Sequence, residues 1–154
     1  MHRGIYIDAN LLLLLVVGLT GRILIDKHRR TREFSAEDYD LLVRVIERAH
    51  QVFVTPNTLT EASNLLAQHG EPERSRLLSG LRALIEHSPE TVIASADAST
   101  HDKFLRLGLT DAALLKVVSV ETPLVTVDLE LYSAALARGE EVAINFNHLR
   151  FAQD

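Results

Sequence analysis

Three aspartates stand where apolar runs give way to helical patterns, and their setting points to the chemistry of a divalent cation. Asp8 lies inside the run GIYIDANLLLLLVV at 4–17, between Ile7 and the leucines that begin at Leu11. A carboxylate in such surroundings loses its hydration, so burying it unpaired is expensive. The cheapest arrangement ends a strand at Ile7 and leaves Asp8 facing a crevice where a cation can sit. Asp128 stands in the same relation to the run Leu124–Val127, which Pro123 precedes. Asp111 follows Thr110, a residue suited to capping a helix, and so falls in a first turn where the helix dipole favours negative charge.

The rest of the chain supplies elements that could bring these acids together. Gly4–Ile7 reads as a buried strand, followed from Ala9 or Asn10 through Leu19 by a helix apolar nearly all round, the mark of an internal helix. Ser35 and Asp38 form a capping-box pattern ahead of a helix to about His50, with Tyr39, Leu42, Val43, Ile46 and Ala49 on one face. Val52–Val54 is a strand, and Thr55-Pro56 starts a helix to about His69 that carries Glu61 beside its apolar face. A helix over Pro72–His87 is expected to bury Leu77, Leu78, Leu81, Leu84 and Ile85. Thr91–Ala94 reads as a further strand, and Ser95 as the cap of a helix through Leu107 that stops at Gly108. Then come a helix from Asp111, a strand at Leu124–Val127, a helix over Leu129–Arg138 and a strand at Val142–Ile144. The tail Asn145–Asp154 carries no clear signal. This alternation predicts an α/β fold, a central parallel sheet of about five strands with helices on both faces. Ligands of such sheets bind outside the carboxyl ends of the strands, where Asp8 and Asp128 lie.

Composition narrows the function. The 154 residues fit one domain, 1–154. The formal net charge of -5 argues against a broadly basic surface. One dense basic run, DKHRRTR at 26–32, offers Lys27, Arg29, Arg30 and Arg32 as contacts for a phosphate backbone. The absence of cysteine excludes disulfides, thiolate nucleophiles and zinc–thiolate clusters. The seven histidines have no HExxH spacing, and there is no GxGxxG, P-loop or GxSxG motif. Three Tyr, five Phe and no Trp leave little material for stacking bases. The leucine run is shorter than the roughly 20 apolar residues that span a bilayer and reads as mature structure of a cytoplasmic protein.

Taken together and in order, IYIDAN, TPNTLTEASNLL, LGLTDAALL and LVTVD resemble the PIN-domain nucleases, including the toxin-type ribonucleases. The resemblance extends over nearly the whole chain, with 17 residues from Asp111 to Asp128. The interval from Asp8 to Glu61 is longer than in compact toxin-type members. The likeness implies a three-layer α/β/α sandwich and a catalytic set of Asp8, Glu61, Asp111 and Asp128. Asp8, Asp111 and Asp128 would hold Mg²⁺ or Mn²⁺, hard cations that take oxygen ligands and keep several waters. Glu61 would be an outer ligand or would orient the attacking water, with Asn10 and Thr126 as flanking polar groups. The implied activity is endoribonuclease cleavage of RNA, as the toxin of a toxin–antitoxin pair. The implied partners are a small antitoxin protein and a second copy docked through the apolar N-terminal helix. Two alternatives stand beside this: a catalytically inactive regulatory or protein-binding module of the same fold, and a receiver-like or phosphatase-like domain using Asp8 as phosphoacceptor. All four acids are present, which argues against the first. Ala9 and Asn10 stand where the second would want another acid.

Overall fold

Four short strands make one parallel sheet: β1 (Ile5–Ile7), β2 (Val52–Phe53), β3 (Leu124–Thr126) and β4 (Ala143–Asn145), in the order β2-β1-β3-β4. The computed structural model describes residues 2–152. From β1 the chain builds outward to β2 and then crosses to β3 on the other side, so the order reverses beside β1. A crevice opens at such a reversal, beyond the carboxyl ends of the strands.

The period of two along each strand separates the side chains into two apolar cores. Ile5, Ile7, Val52 and Val125 face one core, while Tyr6, Leu124 and Ala143 face the other. The register agrees, pairing Ile5 with Val52, Tyr6 with Leu124 and Ile7 with Val125. Both faces are covered by helices, which is why the strands read as continuous apolar runs rather than alternating ones.

The first core is built round α1 (Ala9–Thr20), enclosed by α3 (Ala36–Ala49), α4 (Pro56–Leu66) and α5 (Glu73–His87). Every residue from Leu11 to Gly18 is buried. Fully burying one leucine contributes about 1.5–3 kcal/mol, so this run is a principal source of stability. A short α2 (Leu24–Lys27) adds Ile25 to the same core. The capping box at Ser35 and Asp38 forms as the sequence suggests, and Thr55 caps α4 with Pro56 in its first turn. The second core lies under α8 (Leu109–Val117) and α9 (Leu129–Leu136), with α6 (Ser95–Ala98) and α7 (Phe104–Leu107) beside α8. A 3-10 turn at Glu140–Val142 leads into β4. The chain then forms α10 (Phe146–Phe151), whose Phe146 closes the first core. Arg150 ties α10 to α3 by bonding Asp38 at 2.8 Å and lying 4.9 Å over the Phe34 ring.

Several expectations are corrected. The strand expected at Thr91–Ala94 is a single bridge between Val54 and Glu90, so the sheet has four strands rather than five among the described residues. Val54 is followed at once by the Thr55 cap and Pro56, leaving no strand backbone for residues beyond Thr91 to pair with, and Val92 is 74% exposed. The helix expected from Ser95 to Leu107 is two single turns, and Ser95 caps neither. Thr110 lies inside α8, which starts at Leu109 after Gly108 turns with φ +88°. Ile85 points outward from α5, and Phe146–Phe151 of the tail form a helix. On the N-terminal helix, Leu11 to Gly18 are buried within the chain, while Leu19 is exposed and lines a groove with Leu15, Thr20 and residues of α3 and α5. Among the described residues, no helix is long and apolar enough to cross a membrane.

Gly18 is required by packing, because a Cβ there would fall within the Tyr39 ring of α3. Gly18→Ala should therefore destabilise the protein by about 2 kcal/mol through overpacking, despite the roughly 1 kcal/mol that alanine contributes in a helix. Urea unfolding with an unchanged slope and a lower midpoint is the expected result. An equal or higher midpoint would show that α1 and α3 are not in this contact.

Candidate functional site

Each strand hands over to its following helix through a polar side chain at its carboxyl end, and this local rule sets the site. Asp8 caps α1, Thr55 caps α4, Asp128 caps α9 and Asn145 caps α10. A capping side chain satisfies a free N–H of the first helical turn. Because the strands are parallel, all four caps collect along one edge of the sheet.

Asp8 is 4% exposed and sits between β1 and β3. Its Oδ1 accepts from Leu11 N at 2.7 Å, and its Oδ2 accepts from the Thr126 hydroxyl and from Val127 N at 2.9 Å. Burial pushes its carboxyl above the usual range, these three donors pull it down, and Asp128 adds a further push upward. Thr126 is shared, since its Oγ1 also accepts from Asp128 N at 3.0 Å. Asp128 in turn accepts from Leu131 N through Oδ1 at 3.0 Å. The two aspartates are thus linked through one buried threonine.

Asp111 lies half-buried in the first turn of α8, and no protein donor bonds its side chain among the described residues. Its carboxyl is pushed up to about 7, first by burial and then by the negative charges of Asp128, Glu61 and Asp8. Asp8, Glu61 and Asp128 therefore all act on the carboxyl of Asp111. Glu61 is exposed on α4 and lines a crevice of about 400 Å³ with Thr60, Asn64 and Thr110, facing the start of α8. None of these four acids pairs with a Lys, Arg or His among the described residues.

The donor set is all oxygen and lacks a counter-charge, which fits a hard divalent cation. No three of its side chains converge as a ready-made cage among the described residues. Asp8 has Oδ2 occupied by two donors and Oδ1 by one, so Oδ1 is its less occupied oxygen; Asp128 keeps Oδ2 open, and Asp111 keeps both oxygens. A cation that retains most of its water needs only one or two such carboxylates.

No family model matches this chain, and no curated protein matches it. The site therefore stands on its own geometry. Of the residues singled out by sequence, Asp8, Thr126 and Asp128 are joined by hydrogen bonds, and Asp111 and Glu61 join them electrostatically. Asn10 is exposed on the first turn of α1, and its side chain bonds none of them. Lys27, at the end of α2, and Arg29, Arg30 and Arg32 just after it are exposed. Sequence reading missed Asn145, which is buried and pairs in register with Thr126. Its signal was present: a polar residue directly after an apolar triplet, the same pattern as Asp8.

The raised carboxyl of Asp111 binds its proton more tightly in the folded than in the unfolded chain. Between about 4 and about 7 the folded state therefore holds more protons, and stability falls as pH rises through that window. Metal-free protein should melt lower at pH 8 than at pH 5.5, and Asp111→Asn should reduce the difference and raise the melting temperature at pH 8. Thermal denaturation in EDTA measures both. A variant that melts lower than the parent at pH 8 would contradict the repulsive field.

Proposed function

We propose that this chain is a Mg²⁺- or Mn²⁺-dependent endoribonuclease that hydrolyses RNA phosphodiester bonds. The observation that carries the reading is the carboxyl of Asp111, raised by the charges of Asp128, Glu61 and Asp8 beside the carboxyl ends of β1 and β3, with none of the four acids paired to a cationic side chain among the described residues. Such charge is costly unless a ligand compensates it, and sites that keep strongly shifted groups in a cleft are commonly functional. The order of IYIDAN, TPNTLTEASNLL, LGLTDAALL and LVTVD, with its resemblance to PIN-domain nucleases, supplies the reaction class.

In this reading Asp8, Asp111 and Asp128 hold the cation. Held there, such a cation would supply an activated water and would offset charge on the leaving oxygen. Leu11 N, Val127 N and the Thr126 hydroxyl fix the Asp8 carboxylate, so it needs no reordering when the substrate arrives. Asp111 gives up its proton when positive charge enters the site, which makes cation binding favour higher pH. Glu61, on the open side of the crevice, orients the attacking water by accepting its hydrogen bond. Lys27, Arg29, Arg30 and Arg32 attract the RNA backbone as exposed positive charges. A small antitoxin-type partner belongs to the same proposal through the toxin-type resemblance.

Incubating single-stranded and structured RNA with the protein, in Mg²⁺, Mn²⁺ or EDTA, tests the reaction. Cleavage should require the metal. Asp8→Asn and Asp111→Asn should each lower its rate by roughly a hundredfold or more, as losing one preorganised charge-stabilising group does. Thr126→Val should cost about tenfold or more, the usual loss when a supporting partner of a metal ligand is removed. Cleavage that persists in EDTA, or is unchanged in both aspartate variants, would refute the proposal, and absent cleavage with the fold intact would favour the inactive module.

A further inference from the structure

The histidines, which carry no motif in the sequence, mark a second site. His28 ends α2 by donating its backbone N–H to Leu24 O at 2.8 Å, and the following turn is held by the Thr31 hydroxyl donating to Ile25 O. These contacts fold the basic run back onto the body and bury the His28 ring to 2% exposure. The ring lies 4.2 Å, centroid to centroid, from His69, just beyond the end of α4. Together with Lys27, Arg29 and Arg30, both rings line a cavity of about 240 Å³. That is below the roughly 300–1,000 Å³ of ordinary small-molecule clefts.

The tautomer of His28 is set by its own turn. Arg30 N donates to Nδ1 at 3.1 Å, so Nδ1 is an acceptor and the hydrogen of the neutral ring is on Nε2. Burial, with the charges of His69 and Arg30, lowers the ring's pKa to about 4, so the neutral form prevails at pH 7. Nε2 is buried and has no hydrogen-bond partner. A buried donor without an acceptor is a cost that native structures seldom leave standing. An Nε2–H cannot ligate a cation, and the basic side chains around it repel one. An anion satisfies both the lone donor and the surrounding charge.

We infer that this cavity is a phosphate-binding subsite, in which His28 Nε2–H donates to one phosphate of the RNA strand and Lys27, Arg29 and Arg30 neutralise it. The ribonuclease reading enters only in naming RNA as the source of that phosphate. From Glu61, α4 runs on to Leu66, a rise of roughly 7.5 Å, and the turn that follows carries His69. A strand entering the crevice at Glu61 could therefore reach it along α4. The subsite would hold the RNA away from the cleaved bond and set where the cut falls.

The test follows histidine ring signals by NMR in Asp111→Asn protein with EDTA, so that RNA stays intact, while inorganic phosphate and then a single-stranded oligoribonucleotide are added. Both ligands should shift His28 and His69 saturably, while His87 and His148 stay unmoved. Lys27→Ala and Arg30→Ala, at exposed positions that leave the core intact, should each weaken binding about tenfold, the loss expected of one charge-assisted hydrogen bond. No saturable response of His28 to phosphate, or a response unchanged in Lys27→Ala and Arg30→Ala, would overturn the subsite. A response to inorganic phosphate but not to RNA would overturn RNA as the source. Failure of the ribonuclease reading has a separate signature, the absence of metal-dependent cleavage by the unsubstituted protein, and leaves the phosphate result readable.

Discussion

The buried carboxylate of Asp8 is the constraint on which the rest of the structure depends. An ion taken out of water must be solvated by the protein itself, and here the solvent is Leu11 N, Val127 N and the Thr126 hydroxyl. Those donors belong to α1 and to the end of β3. Satisfying one side chain therefore fixes where α1 begins and joins the ends of the two central strands across the point where the sheet order reverses. Asp128 then inherits its position, since its backbone N–H is bonded to the same Thr126 oxygen.

The site sets stability against function. Asp8 and Asp128 are useful to the fold as helix caps, and Asp111 is favoured by the dipole of α8. Each acid is thus ordinary where it stands. Their repulsion is a collective effect, expressed in the raised carboxyl of Asp111. Replacing Asp111 by a neutral isostere would relieve that repulsion, the pattern expected of a residue kept for chemistry. The opposite end of the charge scale lies on the segment after α2, where exposed basic side chains surround the buried ring of His28. An acidic centre and a separate basic segment on one molecule would reconcile a net charge of -5 with the polyanionic substrate proposed above.

Much of this was legible in the sequence where local chemistry and tertiary demand agree. The apolar runs at Ile5, Val52 and Leu124, the Ser35 capping box and the Thr55-Pro56 start all do in the structure what their composition suggests. Asp8 could be placed because an acid inside an apolar run admits few solutions. Thr91–Ala94 misled because β character is a property of a pair: the run is apolar enough, but its neighbour has already turned into α4. The same holds for the stretch from Ser95 to Leu107, where helical residues are present but Leu105 finds nothing to pack against and only two single turns form. His28 was invisible as a site because its significance lies in Arg30 N and in the ring of His69, contacts that no spacing rule encodes.

The enclosure of α1 has a dynamic consequence. Its amides from Leu12 to Gly18 are bonded within a helix whose neighbours α3, α4 and α5 would all have to part before water could reach them. Local fraying cannot expose such a segment, so its hydrogen exchange proceeds through opening of the whole first core, at the upper end of the molecule's range of opening free energies. Asp8 stands at the first turn of that slow-exchanging rod. The carboxylate that begins the site is thus carried by the part of the molecule with the least freedom to move, while Glu61 and the basic segment, exposed at the surface, keep the freedom to adjust to what binds.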